Sequence, residues 1–154
     1  MNSYKSQKLE HIQDQLHHRN IQVHNFAISQ TKKAVCLDDS GYKYIALNKP
    51  ALESPAEELV ILAEEFGHFE TGALYAITAT SNTAVARSNR IKFEGRALHW
   101  AYRSLLPPAE IEHAVRLCAT PWDAAEHCQV TEEFLQNAIK YHRDCGVQFG
   151  FDQL

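Results

Sequence analysis

The segment from Ser54 to Tyr75, SPAEELVILAEEFGHFETGALY, limits the fold of this chain most strongly, because it carries the signals of a single helix. Ser54 supplies an N-cap hydroxyl, Pro55 takes the first helical position, and Glu57 can close a capping box onto the Ser54 N–H. At about 100° per residue, one stripe of this helix is apolar. The stripe consists of Leu59, Leu62, Phe66, Phe69 and Ala73. We therefore predict a helix over 54–75 that packs on the core.

Glu64 and His68 lie opposite that stripe, beside the apolar Val60 and Ile61, so we expect protein on both faces of the helix. One interpretation is an i,i+4 carboxylate–imidazole pair on a solvated face. In the other, Glu64 and His68 both reach one Zn²⁺ at about 2.0–2.2 Å, and Glu65 stands beside a water molecule whose proton it takes. The second is the geometry of the HExxH metalloprotease helix, with Glu64 in place of the first His.

A second helix is predicted over residues 84–107. Glu94, Ala97, Ala101 and Leu105 form one of its stripes, and the small residues in it allow close packing against another helix. A catalytic zinc ion commonly has three protein ligands and leaves one position to water. If the two helices pack together, Glu94 could complete a three-ligand site.

The blocks LAEEFGHFETG (62–72) and RIKFEGRALHWAYRSLLP (90–107) resemble the short, phage-type members of the ImmA/IrrE metallopeptidase family. The second block of that family runs Glu-x-x-Ala-x-x-Trp-Ala and ends in Leu-Leu-Pro or similar. The resemblance covers most of the chain, and it implies an α+β, mostly helical, zincin-like domain with a gluzincin-like peptidase site. By the same resemblance, His68 and Glu94 would bind zinc and Glu65 would be the general base. The implied substrate is a helix-turn-helix repressor of a phage or mobile element.

Glu64 stands where the fuller family pattern has a His. With Glu64, His68 and Glu94 as ligands, a divalent ion would sit in a site of zero net charge, and it would acidify its water less than in a His₂Glu site. Carboxylate-rich sites also favour harder ions. We therefore expect Zn²⁺, or Mn²⁺ or another divalent ion, bound weakly. Alternatively, Glu64 does not ligate and only His68 and Glu94 do.

Composition indicates one domain that is expected to be cytoplasmic. A length of 154 residues suits one core, and the net charge of −4 gives no general attraction to nucleic acid or to an anionic membrane. We find neither a signal peptide nor an apolar run of transmembrane length, and the four cysteines lack CxxC spacing and are expected to be reduced. We predict an N-terminal helix (1–20), a small antiparallel sheet (21–50), the two metal-site helices (54–107) and a C-terminal helical region (108–154).

Three strands are expected in the sheet, over 21–28, 33–37 and 42–47, and the last two form a hairpin. In zincins, an edge strand beside the metal commonly holds the substrate by strand addition. Tyr44 to Leu47 is our predicted edge strand, because Asn48 to Pro50 ends it. A sheet that only covers the core is the other interpretation.

Two other functions compete with the peptidase. One is an antirepressor that keeps the zincin scaffold but acts only by binding the repressor. The other is DNA binding by residues 124–141, which have the spacing of a helix-turn-helix. Acidic residues outnumber basic ones in and around that segment, which disfavours contact with a phosphate backbone. They are Asp123, Glu126, Glu132, Glu133 and Asp144, against Lys140 and Arg143. We expect a protein partner and no direct nucleic-acid contact.

Overall fold

The computed structural model describes residues 6–27, 32–74 and 84–152, and this part of the chain is α+β and mostly helical, as predicted. Its helices are α1 (Gln7–His18), α2 (Pro55–Thr71), α3 (Ala84–Leu105), α4 (Pro108–Leu117), α5 (Pro121–Cys128) and α6 (Glu132–Asp144). Its strands are β1 (Ile21–Asn25), β2 (Ala34–Asp39) and β3 (Tyr42–Leu47), and a short 3₁₀ turn (Lys49–Ala51) follows them. No helix in these ranges is long and apolar enough to cross a membrane.

The prediction of an antiparallel sheet was wrong in one of its two strand pairs. The strand order is β1-β3-β2, with β2 antiparallel to β3 and β1 parallel to β3. The turn at Ser40 and Gly41 forces β2 and β3 to run in opposite directions, and both residues have positive φ. β1 adds to the other side of β3 in the same direction as β3. Residue 28, the last of the first predicted strand, lies outside the described ranges.

β3 is the central strand, so the prediction that Tyr44 to Leu47 form an edge was also wrong. Among the described strands, β1 and β2 are the two edges. The hydrogen bond from the Asn48 N–H to the Lys33 carbonyl (2.8 Å) shows which residues of β2 face β3. Because the ladder of an antiparallel pair alternates, the main-chain groups of Ala34, Cys36 and Asp38 face away from β3, at the open edge.

α2 begins as predicted and ends earlier. The Ser54 hydroxyl accepts the Glu57 N–H at 3.1 Å, but the Glu57 carboxylate accepts the N–H of Glu53 (2.7 Å) rather than that of Ser54. The helix ends at Thr71, before the predicted Tyr75, because Gly72 adopts the left-handed conformation (φ 64°) that closes a helix. Tyr75 itself lies outside the described ranges.

The expected close packing of α2 on α3 is confirmed at Gly67. A Cβ atom on Gly67 would lie 3.0 Å from the Ala97 carbonyl carbon and closer still to its oxygen, so only a glycine fits. Ala97 and Ala101 are buried at this contact. Beside this contact, the rings of Phe66 and Trp100 meet edge to face with centroids 4.9 Å apart. The two helices that carry the predicted ligands therefore lie in direct contact.

The remaining helices complete the core around α2. The apolar stripe of α1 packs inward, and Leu9, Ile12 and Leu16 are all buried. The last two helices are capped at their N-termini, since the Thr120 hydroxyl accepts the Asp123 N–H at 3.1 Å and the Thr131 hydroxyl accepts the Phe134 N–H at 3.2 Å. α6 buries one full face, consisting of Phe134, Leu135, Ala138, Ile139 and His142.

We expect Gly67→Ala to lower the free energy of unfolding by about 1–3 kcal/mol, because the added methyl group must push α3 away from α2. Gly95→Ala is the matched control. Gly95 lies within α3, and a Cβ atom added there would meet nothing within 4 Å, so alanine should stabilise the helix by about 0.5–1 kcal/mol. Urea unfolding of both variants tests the pair. Equal stability of the two would contradict this contact.

Candidate active site

The end of α2 fixes the orientation of the buried His68 ring. His68 Nδ1 lies 2.8 Å from the carbonyl oxygen of Ala73, which can only accept, so Nδ1 carries a hydrogen and donates it. The turn at Gly72 brings Ala73 into this position, and the Ala73 N–H returns a bond to the His68 carbonyl at 3.0 Å. The second ring nitrogen, Nε2, is thereby directed away from α2.

Nε2 of His68 points at Glu94 on α3. Its distance from Glu94 Oε2 is 3.3 Å, and the Glu94 side chain is 61% exposed, whereas that of His68 is 5% exposed. Burial lowers the pKa of His68, but the Glu94 carboxylate, the Ala73 carbonyl and the charge of Glu65 raise it by more, so the net change is upward. In the protonated ring, Nε2 therefore donates a hydrogen bond to Glu94. In the neutral ring, the Nε2 lone pair can bind a metal ion.

Glu65 faces the open edge of the sheet, where Cys36 lies. Burial raises the pKa of Glu65, and hydrogen bonds from the Cys36 thiol and from the Cys36 N–H oppose this with a smaller effect. The N–H is available because Cys36 faces away from β3. Burial and the Glu65 carboxylate together raise the pKa of the Cys36 thiol, which keeps it protonated as a donor. A carboxylate with a raised pKa is a stronger base than an exposed one.

Glu64 is half-buried, like Glu65, and charges from the site and from α6 both act on it. Burial, followed by the negative charges of Glu65 and Glu94, raises the pKa of Glu64 to about 7. Glu133 on α6 adds to this effect, and His68 opposes it. Burial and the charge of Glu64 also raise the pKa of Tyr102 to about 12. Near neutral pH, Glu64 is thus divided between its protonated and ionised forms.

The four predicted site residues differ in how closely they meet. His68 and Glu94 are in contact, while Glu64 and Glu65 act on them through their charges. Within residues 6–27, 32–74 and 84–152, no group of three or more His, Cys, Asp or Glu side chains is arranged to hold a metal ion. The ligand set Glu64, His68 and Glu94 therefore stays a prediction.

Sequence reasoning missed two groups that shape the site. The Ala73 carbonyl, which orients His68, could have been anticipated from Gly72, since a glycine after a helix commonly brings the chain back toward the last turn. The placement of Cys36 beside Glu65 depends on which strand forms the edge, and no local pattern gives that order.

The geometry defines an α+β protein with a buried histidine and an exposed glutamate in contact between two close-packed helices. Comparison of the chain with family models, with curated proteins and with solved structures found no match.

Proposed function

We propose that this chain is a metal-dependent peptidase of the kind implied by its resemblance to the ImmA/IrrE family, with a helix-turn-helix repressor as its substrate. The observation that carries this proposal is the 3.3 Å contact between His68 Nε2 and Glu94 Oε2. Two ligands at about 2.0–2.1 Å from one tetrahedral zinc ion lie about 3.3 Å apart. The imidazole and the carboxylate thus have a separation that suits two ligands of one ion.

The donor set is compatible with a divalent metal, and the surroundings support it. The Ala73 carbonyl holds Nδ1 of His68, the outer hydrogen bond that metal-binding histidines commonly make. Glu65 and Glu94 raise the pKa of His68, and both also act on Glu64, so negative charge gathers near this contact. When bound, a divalent ion would lower the pKa of a water molecule and polarise the scissile carbonyl. Zn²⁺ is the proposed ion, with Mn²⁺ as the alternative for this carboxylate-rich site.

Glu65 is the proposed general base. In this mechanism its carboxylate takes a proton from the attacking water as the C–O bond forms, and then gives that proton to the leaving amine as the C–N bond breaks. The Cys36 groups that act on the pKa of Glu65 belong to the open edge of β2. Ala34, Asp38 and the Cys36 carbonyl present main-chain groups at that edge, where an extended substrate segment could pair beside Glu65.

Metal dependence of cleavage tests this proposal. We expect a helix-turn-helix repressor incubated with the zinc-supplied protein to yield two fragments whose masses sum to that of the repressor plus one water. Addition of a chelator should stop cleavage, and returned Zn²⁺ or Mn²⁺ should restore it. Cleavage that is unchanged by the chelator, or a repressor panel left intact under all metal conditions, would count against the proposal.

A second candidate function is antirepression by binding alone. Two observations favour it. Within the described ranges no group of three ligands is found, and the His68–Glu94 contact also fits an ordinary hydrogen-bonded ion pair. In that case the protein would relieve repression without cutting the repressor. DNA binding has less support, because α6 buries Phe134, Leu135 and Ile139 and begins with Glu132 and Glu133.

A further inference from the structure

The face of α3 that packs on α2 continues toward the start of α3, where it is exposed. Ala97 and Ala101 on this face are buried. Spacings of three and four residues extend the same face back through Glu94 to Arg90 and Arg87. In the described part of the chain both arginines are exposed, so a face that is covered at one end of α3 is open to solvent at the other.

The end of α2 explains this change. Gly67 meets Ala97, and the following residue of α2, His68, meets Glu94, so the two helices run antiparallel. α2 ends at Thr71, less than one turn after His68. The first turns of α3 therefore extend past the end of α2.

We refer to Arg87, Arg90 and Ile91 as the α3 ledge. Ile91 is 73% exposed, which is unusual for a large apolar side chain. At 1.5 Å per residue, Arg90 and Arg87 lie about 6 and 10 Å along the helix from Glu94. Because Glu94 contacts His68, the α3 ledge begins about one helical turn from the candidate active site.

Charge identifies the chemistry that fits the α3 ledge. Residues 84–96 hold four basic side chains and one acidic side chain, a net charge of +3, in a chain whose total is −4. The rest of the chain therefore carries −7 and repels an acidic segment, while the start of α3 attracts it. A guanidinium group binds a carboxylate through two parallel hydrogen bonds, and Ile91 offers an apolar contact beside it.

These features favour a segment of protein over nucleic acid. Glu94 lies on the same face as the two arginines, and the charge of −7 elsewhere opposes a long phosphate backbone. One or two carboxylates need only Arg87 and Arg90. An exposed isoleucine also suits a partner with apolar side chains better than it suits phosphate.

We propose that Arg87 and Arg90 select an acidic residue in the protein that this site binds. The proposal names the substrate class of the proposed peptidase and rests on that function. Since an extended chain advances about 3.3 Å per residue, the acidic residue lies about two or three residues from the bond that is cut at the His68–Glu94 contact.

Fluorescence anisotropy tests the selection without requiring hydrolysis. The probe is a labelled peptide with two adjacent aspartates among leucine, serine and threonine residues, and its twin has asparagines in place of the aspartates. The zinc-supplied Glu65→Gln protein is used so that the peptide stays whole. We expect the acidic peptide to bind about 5–30-fold more tightly than its twin, and added salt to reduce the difference.

Two double variants in this background locate the binding to one side of α3. Arg87→Gln with Arg90→Gln should remove most of the preference for the acidic peptide. Lys92→Gln with Arg96→Gln removes the same charge from positions about 200° around the helix from Glu94, and should change binding by no more than about threefold. All four positions are exposed, and circular dichroism checks that each variant is folded.

Three results would overturn the proposal. They are equal binding of the acidic peptide and its twin, an equal loss in both double variants, and tighter binding of a single-stranded oligonucleotide through the same two arginines. Because the peptide is never cut in this experiment, the preference can fail while a repressor is still cleaved. It can also be found where no cleavage occurs, so the result is distinct from that of the metal-dependence test.

Discussion

Glu65→Gln is expected to reduce repressor cleavage by about 10²–10⁴-fold, the usual contribution of a general base. Glutamine has the shape of glutamate and can still accept a hydrogen bond from Cys36 through its amide oxygen, so the fold should be retained. It has no basic carboxylate, so it cannot take the proton of the attacking water. Rates of fragment formation, measured with equal metal loading, give the size of the effect.

The matched control for this variant is Glu70→Gln on the same helix. Glu70 forms an ion pair with Arg19 at 3.2 Å, away from His68 and Glu94, so the control should cleave at the wild-type rate. Wild-type cleavage by Glu65→Gln would contradict the assigned base. If Glu65→Gln relieves repression in cells as well as the wild type does, while neither protein cuts the repressor, the binding-only function is the correct one.

Glu64→Gln is expected to stabilise the metal-free protein at pH 8 by up to about 3 kcal/mol. In the folded chain the pKa of Glu64 is about 7, against 4.5 for an ordinary glutamate. Between these values the folded state holds a proton that the unfolded state has released, so stability falls as the pH rises. Above about pH 7 the wild type bears the full cost of a buried charge beside other carboxylates, and the neutral amide removes that cost.

Urea unfolding at several pH values, in the presence of a chelator, tests this prediction. The gain from Glu64→Gln should be largest at pH 8 and should disappear toward pH 4. Glu65 and His68 also have raised pKa values and act in the same direction, so some pH dependence should persist in the variant. Glu126→Gln, at an exposed position of α5, should change stability by less than about 0.5 kcal/mol. Equal stability of the wild type and Glu64→Gln at pH 8 would contradict the burial of an ionisable Glu64.

Local signals predicted the two helices of the candidate site. The Ser54 hydroxyl and Pro55 define the start of α2 within the sequence itself, and the N-cap hydrogen bond forms as expected. The alanines of the α3 stripe predicted close packing, and Gly67 meets Ala97 there. The i,i+4 spacing placed Glu64 and His68 on one side of α2. These features depend on neighbours within a few residues or on helical periodicity, which a sequence shows directly.

Features that depend on distant parts of the chain could not be read in the same way. The parallel pairing of β1 with β3 is set by which side of the β2–β3 hairpin remains available, and strand order has no local signature. The early end of α2 is set by Gly72, which adopts the left-handed conformation and closes the helix before the apolar residues that follow it. The strand order decides that Cys36 lies beside Glu65, and the end of α2 decides that the Ala73 carbonyl bonds His68.

Metal content is the most direct test of the central claim, that His68 and Glu94 hold a divalent ion. The wild type, His68→Ala and Glu94→Ala would be purified without chelator, supplied with Zn²⁺ or Mn²⁺, freed of unbound ion and measured by elemental analysis. We predict about one ion per chain in the wild type and a large loss in both variants, because each removes one of the two groups in contact. A wild type that retains no ion after either supply, or variants that retain as much as the wild type, would contradict the claim.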